Sequence, residues 1–483
     1  MSQAHPRDER DPAQSGKRTD HAQKCTHSGN YPIFPNEIMA EIFMHALQSR
    51  SDRRPRVDQF PLLPLLVCKH WRAIALANHR LWTTLDLFAE ELLKLFPARR
   101  IGNFADAWFQ WAGILPVALA FFGPDDLDND LDSSDLRDII EPVAARLHSL
   151  TLEIGITHLD RENLAFPLLE KLEVRDLWGW QENQTERRWN TSFRYCGTAP
   201  RLREAILQMP ANALLFIHPS ATLTKFIGEY MTANDCLTFL RASPSLVECS
   251  TTLDLTDPLH DHLMVTMHHL KTLRLTRSPP SRSYDVEHAA VANMLELLDA
   301  PALEHLEIGN VPDLERFDTE MATFFSRVSA SLRHLSFSST APLTEIYPYS
   351  YGVQWFTQLA QLTHVEFTSP TEDFLTPFFA KLKESRDFLA ELKSLRIFQY
   401  EYILKDAFVH ALRSRTTEGT GRQVALEAFQ VVWSADGERH AHRIDLAELA
   451  SLERRRMRLH IGSKSMDCLI RHIARMKSIP KLP

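Results

Sequence analysis

"SYDVEHAAVANMLELLDAPALEHLEI", residues 283–308, is the stretch that decides the fold. Its first part predicts an amphipathic helix, because apolar residues recur mainly at steps of three and four. These residues are Val286, Ala289, Ala290, Met294, Leu297 and Leu298. Pro301 then ends the helix. A strand follows, in which the apolar side chains of Leu306 and Ile308 alternate with polar ones.

The strand part of this stretch, Leu-x-x-Leu-x-Leu, recurs with starts 21 to 34 residues apart, and two of the units are degenerate. Eleven units begin at Leu147, Leu169, Leu202, Leu223, Leu246, Leu270, Leu303, Leu332, Leu362, Leu392 and Leu426. One strand and one helix cannot bury their own apolar faces, but stacked repeats bury a continuous core. The repeat therefore predicts an α/β solenoid of alternating strands and helices.

The repeated unit resembles that of leucine-rich-repeat proteins. The resemblance implies an irregular leucine-rich-repeat solenoid over residues 146–433, with the leucines facing inward. The asparagine that usually follows the strand in that family is absent from all eleven units. The leucine pattern is therefore predicted here without the asparagine ladder.

Alternating apolar residues also predict strands at both ends of the repeat region. The alternation over residues 117–121 predicts an opening strand, inside a helical connector and opening repeat at residues 87–145. Residues 434–483 are predicted to form a last strand around residues 457–461 and a basic capping helix.

The N-terminal region predicts a three-helix module over residues 31–86. Pro35 suits the first turn of a helix, where its missing N–H costs nothing. Apolar residues recur at helical spacing in the first helix at Ile38, Met39, Ile42, Phe43, Ala46 and Leu47. A second helix is predicted through Val67, Cys68, Trp71, Ile74 and Ala75, followed by a third apolar group at Leu81, Trp82 and Leu85. A module of this size cannot cover both of its apolar faces alone, so a neighbouring domain or a partner must cover one.

Four segments of this module, in order and spacing, resemble an F-box. They are "FPNEI" from Phe34, "IF" from Ile42, "VCKHWRAIA" from Val67 and "LW" from Leu81. Phe34 stands where the family usually has leucine. The loop after Leu47 is longer than in many F-boxes, but it is similar to that of F-box proteins from mushroom-forming (basidiomycete) fungi.

The resemblance implies a partner, because F-boxes dock on the Skp adaptor, which links them to a cullin–RING ubiquitin ligase. It implies that the adaptor-facing or supporting residues are Pro35, Ile38, Ile42, Leu65, Val67, Cys68 and Trp71. The chain would then be a substrate-recognition subunit without chemistry of its own. The alternative is a ligase-independent scaffold, in which the F-box holds the adaptor and the repeats bind a structural partner.

An unknown protein substrate is expected on the concave surface, because strand residues between the inward leucines face it. The candidate contacts are Glu173, Arg274, His305, Glu307, His334, His364, Glu366 and Arg396. Their mixture of charges predicts a polar, salt-sensitive contact. The rival is the loop over residues 175–190, which carries Trp178, Trp180 and Trp189.

Three of these candidates, His305, His334 and His364, occupy equivalent positions of consecutive repeats. Neighbouring strands lie about 4.8 Å apart, so the three side chains are expected to lie side by side. They could contact substrate or respond to pH, but any polar residue would serve at such exposed positions. We expect neither a metal nor a cofactor in this protein.

Composition restricts the function further. The formal net charge is -8 and the isoelectric point is about 6.3, which argues against a nucleic-acid-binding surface. The six cysteines include no Cys-x-x-Cys pair, which favours a reducing compartment, cytoplasmic and/or nuclear. Neither a secretory signal nor a membrane span is predicted, and residues 1–30 are predicted to be disordered. The absence of any recognisable pairing of a nucleophile with a base argues against an enzyme.

Overall fold

The computed structural model describes residues 34–48, 61–88, 98–123, 133–153, 164–175, 196–208, 220–254, 263–277, 289–309, 318–338, 352–370, 372–400, 406–415, 425–433, 457–463 and 466–467. The predicted disordered tail, the tryptophan-containing loop and the predicted capping helix lie outside the described residues.

The fold is α/β and is built on one open sheet of 15 strands. In spatial order the strands are β1 (Thr84–Phe88), β2 (Val117–Phe122), β3 (Leu147–Glu153), β5 (Lys171–Arg175), β7 (Glu204–Gln208), β8 (Lys225–Thr232), β9 (Glu248–Asp254), β11 (Thr272–Arg277), β13 (His305–Gly309), β14 (His334–Ser338), β15 (His364–Thr368), β16 (Ser394–Tyr400), β17 (Ala428–Trp433), β18 (Arg458–Ser463) and β19 (Met466–Asp467). Neighbouring strands pair in parallel, except that β18 and β19 are antiparallel. Two small parallel sheets pair β4 (Leu164–Ala165) with β6 (Cys196–Thr198), and β10 (Val265–Thr266) with β12 (Leu298–Asp299).

Each of the eleven predicted repeats contributes one strand to the main sheet, in chain order. The first leucine of every unit is at most 3% exposed, so these side chains form the spine of the core. The predicted opening strand and last strand are also present, as β2 and β18. The alternating pattern did not reveal β1, which begins the sheet at Thr84, or the short β19.

Helices form a second layer that covers the leucine side of the sheet. They are α4 (Ala98–Trp111), α5 (Ser133–Ile140), α6 (Ala233–Ala242), α7 (Ala289–Glu296), α8 (Asp318–Val328), α9 (Glu372–Glu384) and α10 (Asp406–Ser414), with 3₁₀ helices at Glu141–Arg146 and Gly352–Gln358. Neighbouring helices pack on one another, as α7 does on α8 and α9 on α10. A single hydrophobic core runs from Met39 to Ile461.

The helix predicted in residues 283–308 ends earlier than its apolar pattern indicates. Helix α7 stops at Glu296, and Leu298 lies instead in strand β12, paired with Val265. The fully buried positions of α7 include Val291, Ala292 and Leu295. The prediction was wrong here because Leu298 is buried through pairing with another short strand.

The N-terminal part has helix α1 (Asn36–Gln48), a short helix α2 (Leu63–Val67), helix α3 (Lys69–Ala77) and a 3₁₀ turn at His79–Trp82. The prediction of one continuous helix through Cys68 was wrong. Cys68 is extended, with φ -159° and ψ 168°, and it caps α3 by accepting the backbone N–H of Trp71 on its sulfur at 3.4 Å. The cysteine is therefore exposed at a break between two helices.

Trp82 joins this N-terminal part to the sheet. Its indole N–H donates to the Ala75 carbonyl at 2.8 Å, and its fully buried ring lies 5.0 Å from Trp108 and 4.6 Å from Trp111 of α4, measured between ring centroids. His79 adds a 2.6 Å contact from Nδ1 to the Trp111 carbonyl. The helices that precede the sheet are thus anchored on α4, the first helix of the layer that covers it.

Three arginines connect neighbouring helices of this layer. Each donates to backbone carbonyls at or just after the end of a helix about thirty residues earlier in the chain. Arg146 bonds Phe109 and Leu115 in this way, and Arg327 bonds Leu295, Glu296 and Leu298. Arg415 is 4% exposed and donates to four carbonyls, those of Leu382, Ser385, Phe388 and Leu389, at 2.6–3.3 Å. Burial lowers the pKa of Arg415 only to about 10, so it remains charged at neutral pH.

Replacing Arg415 with methionine should destabilise the protein by about 3 kcal/mol or more, because buried carbonyls lose their donors. Arg415→Lys should recover little, because an ammonium has three donors on a single nitrogen and cannot reproduce the planar fork. Arg386 lies between Ser385 and Phe388, two of the residues whose carbonyls Arg415 binds, but its own side chain is exposed. It provides the control Arg386→Met, which should change stability by less than about 0.5 kcal/mol. Urea unfolding measures all three variants, and equal stability of Arg415→Met and wild type would contradict the prediction.

Candidate functional site

Exposed apolar side chains are concentrated on the two first helices. Ile38 and Ile42 on one side of α1, and Phe34 two residues before the helix begins, are 44–49% exposed. Leu66 and Val67 of α2 are 59% and 50% exposed. These five residues, here called the apolar helical surface, are five of the eight large apolar side chains exposed in the described residues. The adjoining side of α1, about 100° around the helix axis, packs inward through Met39 and Phe43. One apolar side of α1 is therefore covered by this chain and the other is not.

The residues predicted to face or support the adaptor fall into two groups in the structure. Pro35, Ile38, Ile42, Val67 and Cys68 are exposed. Leu65 and Trp71 are half-buried, and the Trp71 ring lies 5.3 Å from that of Phe43. Trp71 therefore packs against the inward side of α1. Phe34 and Leu66 belong to the same exposed surface, but neither was among the predicted residues.

The second candidate region is the polar side of the sheet. Strand register brings together seven of the eight predicted substrate contacts, which line one groove of about 370 Å³: Arg274, His305, Glu307, His334, His364, Glu366 and Arg396. A second groove shares His364 and Arg396 and continues to Lys393, Arg458 and His460. Glu173 lies apart on β5, where it is 9% exposed and pairs with Lys171 and Arg175.

Between β5 and β13 the polar face carries a charge ladder, defined as Lys171, Glu204, Lys225, Glu248, Arg274 and Glu307. Charges of opposite sign alternate from strand to strand, with N–O separations of 3.2–3.9 Å. Glu204, Lys225 and Glu248 were not predicted, although they occupy the same repeat position as the histidines. The ladder neutralises itself, so little net charge remains there for a ligand.

The three histidines, here called the histidine row, pair in register on β13, β14 and β15. The rings of His305 and His334 stack at 4.1 Å with an 8° angle between planes, and those of His334 and His364 stack at 4.2 Å with 20°. The lone pair of an imidazole nitrogen lies in the plane of its ring, so the nitrogens of stacked, nearly parallel rings cannot converge on one metal ion. Within the described residues, no group of three or more His, Cys, Asp or Glu side chains is arranged to hold a metal ion.

Burial and neighbouring groups oppose protonation of His334 and His364 by lowering their pKa. Burial, with His305 and His364 as the next causes, lowers the pKa of His334 to about 4. Burial, together with the nearby Arg396 and Lys393, also lowers the pKa of His364. Burial raises the pKa of Glu366 in the same groove. His334 is therefore neutral at physiological pH.

Acidification should cost the wild-type protein more stability than it costs the variant His334→Phe. The unfolded histidine has a pKa of 6.5 and the folded one about 4, so between these values the unfolded state binds more protons. Stability falls as pH decreases through this window. Phenylalanine preserves a flat ring in the stack without titrating. Urea unfolding at about pH 7 and about pH 5 measures the difference. The exposed His45→Phe should behave as wild type, and an equal acid loss in His334→Phe would contradict this origin.

Within the described residues, no helix combines the length and apolar character needed to cross a bilayer. No protein-family model matches this chain, and no curated protein matches it either. The chemistry of the two surfaces and the sequence patterns therefore carry the functional argument.

Proposed function

We propose that this chain is the substrate-recognition subunit of a Skp–cullin–F-box ubiquitin ligase. Residues 31–86 act as the F-box that docks the Skp adaptor, and a leucine-rich-repeat solenoid binds a protein substrate. The observation that carries the proposal is the apolar helical surface, which coincides with the segments that resemble an F-box.

The adaptor-docking part of the proposal rests on apolar side chains that are exposed to water, which is unfavourable unless a partner covers them. Each of the five apolar residues leaves 44–59% of its side chain open to water. Scattered exposed apolar residues are ordinary, but a group concentrated on the start of α1 and on the next helix along the chain is typical of a protein-binding surface. Met39, Phe43 and Trp82 fix these helices on the body of the protein, so the surface is presented on a rigid support.

The substrate-binding part rests on the groove along β11–β16. It has hydrogen-bonding side chains on every strand and is open to solvent. Arg274 and Glu307 are paired at 3.2 Å, and Arg396 and Glu366 at 3.8 Å, all with partly exposed side chains. Such a surface suits a polar protein segment. The subunit then acts by proximity, holding a substrate lysine near the conjugating enzyme that the ligase recruits.

The double variant Ile38→Ala and Ile42→Ala should weaken binding of a purified Skp adaptor by at least about 30-fold, because the loss of even one central apolar anchor typically costs about 2 kcal/mol. Both residues face away from the core, and alanine favours helix, so the thermal melting point should remain close to that of wild type. Titration with the adaptor measures the loss.

Ile114 offers a matched control, since it is an isoleucine with 95% exposure outside the apolar helical surface. Ile114→Ala should bind the adaptor as wild type does. Unchanged adaptor binding by the double variant would count against this docking surface. Recovery of a cullin with the wild-type complex supports the ligase, whereas adaptor without cullin supports the scaffold alternative.

Exchanging the charges of the groove tests the second surface. The variant Glu366→Arg with Arg396→Glu preserves the ion pair between these two positions but inverts its order along the sheet, and it leaves Arg274 paired with Glu248 and Glu307. It should reduce substrate capture, as judged by proximity labelling, and leave adaptor binding unchanged. Wild-type capture should also weaken as salt concentration rises, because the contact is partly electrostatic.

The control exchanges an ion pair on the helical side, Arg137→Glu with Glu141→Arg, whose wild-type partners lie 2.9 Å apart. It should leave capture unchanged. If capture survives the exchange in the groove and is lost when the loop at residues 175–190 is replaced, the substrate surface has been assigned to the wrong part of the chain.

A further inference from the structure

The hydrogen bonds around the histidine row fix which ring nitrogens carry protons. The Nδ1 atoms of His305 and His334 are buried and have no hydrogen-bond partner in the described part of the chain. A buried N–H without an acceptor is rarer in proteins than a buried lone pair without a donor. Both rings therefore carry their proton on Nε2, at the ring edge left to the groove, and act there as donors.

His364 has the opposite tautomer. Its Nδ1 lies 2.9 Å from Oγ1 of Thr363, and that hydroxyl donates to the Arg333 carbonyl at 3.0 Å. The same carbonyl oxygen accepts the backbone N–H groups of Thr363 and His364 at 2.9 Å, and a hydroxyl oxygen 3.0 Å from it contacts it favourably only as a donor. Since the hydroxyl has one proton, this assigns the donor role in the contact with Thr363 to Nδ1 of His364. Its Nε2 then presents a lone pair to the groove.

An equivalent threonine elsewhere supports this assignment. Thr224 precedes Lys225 as Thr363 precedes His364, and its hydroxyl donates to the Arg203 carbonyl at 3.1 Å without an imidazole beside it. The direction of the hydroxyl thus belongs to this position of the repeat.

The row therefore presents a donor, a donor and an acceptor in sequence, about 4 Å apart because the rings stack at 4.1 and 4.2 Å. A primary amide carries its oxygen and its NH₂ on one edge, so it can accept from His334 and donate to His364 at once. A trans backbone amide directs C=O and N–H to opposite sides and cannot bridge the two. A carboxylate would bring a second acceptor against the lone pair of His364.

A carboxylate bridging the two donors, His305 and His334, is disfavoured by the charges that face this end of the row. Glu304 lies near His305 and His334, and Glu307 lies two residues along the strand from His305. Both glutamates already pair with cations, Lys271 and Arg274. The further cation near Glu304, Arg333, is balanced by Glu248, which also pairs with Arg274. This end of the groove therefore has no excess positive charge with which to attract an anion.

We propose that His334 and His364 form a seat for the side-chain amide of an Asn or Gln in the bound substrate segment, with Thr363 holding His364 in the accepting tautomer. The seat rests on the proposed function of the groove and names the chemistry that the groove selects.

The test selects binders to the full-length chain from a displayed library of random linear 12-residue peptides. Wild type should enrich peptides with an essential Gln or Asn. In a synthetic copy of an enriched peptide, replacing that residue with Glu or Asp should weaken binding about tenfold, as expected when one hydrogen bond is replaced by an unpaired polar contact.

Two variants connect this preference to the row. His364→Phe retains the stack but removes the acceptor, so the amide preference should disappear. Thr363→Val leaves all three histidines in place but removes the hydroxyl that fixes the tautomer of His364. Discrimination between Gln and Glu should therefore decrease while peptides still bind. Thr224→Val, the matched control at the equivalent position, should keep the preference. Melting curves establish that each variant is folded.

Selection of peptides without a required amide, selection of acidic peptides, or failure to select any peptide would each overturn the amide seat. The first two outcomes would leave the groove as a substrate surface, and none of the three affects adaptor binding by the apolar helical surface. Failure of the seat and failure of the proposed function are therefore distinguishable.

Discussion

The structure depends on the in-register parallel pairing of each strand with the next. The carbonyl before each strand accepts N–H groups from the following repeat, as Lys271 does from Glu304 and His305 at 2.8–2.9 Å. The same register places Leu273 beside Leu306, and Leu306 beside Leu335, in the core. A strand shifted by one residue would expose these leucines and bury the charged side. Register and burial therefore enforce each other, and every polar position of a repeat becomes a row along the sheet.

This constraint explains how much could be predicted from the sequence. All eleven strands were predicted from the leucine spacing, because in a stacked repeat the residues that recur at the repeat spacing are the ones that become buried. The side-by-side placement of His305, His334 and His364 followed from the same spacing. The break at Cys68 did not, because Val67, Cys68 and Trp71 have helical spacing whether or not the backbone is extended at the cysteine. Strand β1 was missed because Leu85 and Leu87 were not part of a recognisable repeat.

The properties that give the two surfaces their character depend on contacts between distant segments. Hydrophobic spacing predicted an apolar face on α1 and two apolar faces on the N-terminal module, but only the fold reveals that Phe43 is covered and Ile42 is open. The tautomer of His364 depends on a carbonyl of another repeat, thirty residues before the threonine that contacts the ring. The arginine contacts of Arg146, Arg327 and Arg415 likewise join residues about thirty positions apart, and no local pattern indicates their acceptors.

The two surfaces differ in their interaction with water, since one is apolar and the other carries hydrogen-bonding groups. They therefore suit different partners. The apolar helical surface has no polar contact to lose, so a partner that covers it gains mainly from the removal of apolar area from water. The polar side of the sheet is already occupied by its own ion pairs from Lys171 to Glu307, and a ligand there must match existing hydrogen bonds. The first surface favours one constant partner with a complementary apolar face. The second favours discrimination, because a single mismatched donor or acceptor in a half-buried row leaves a polar group unpaired.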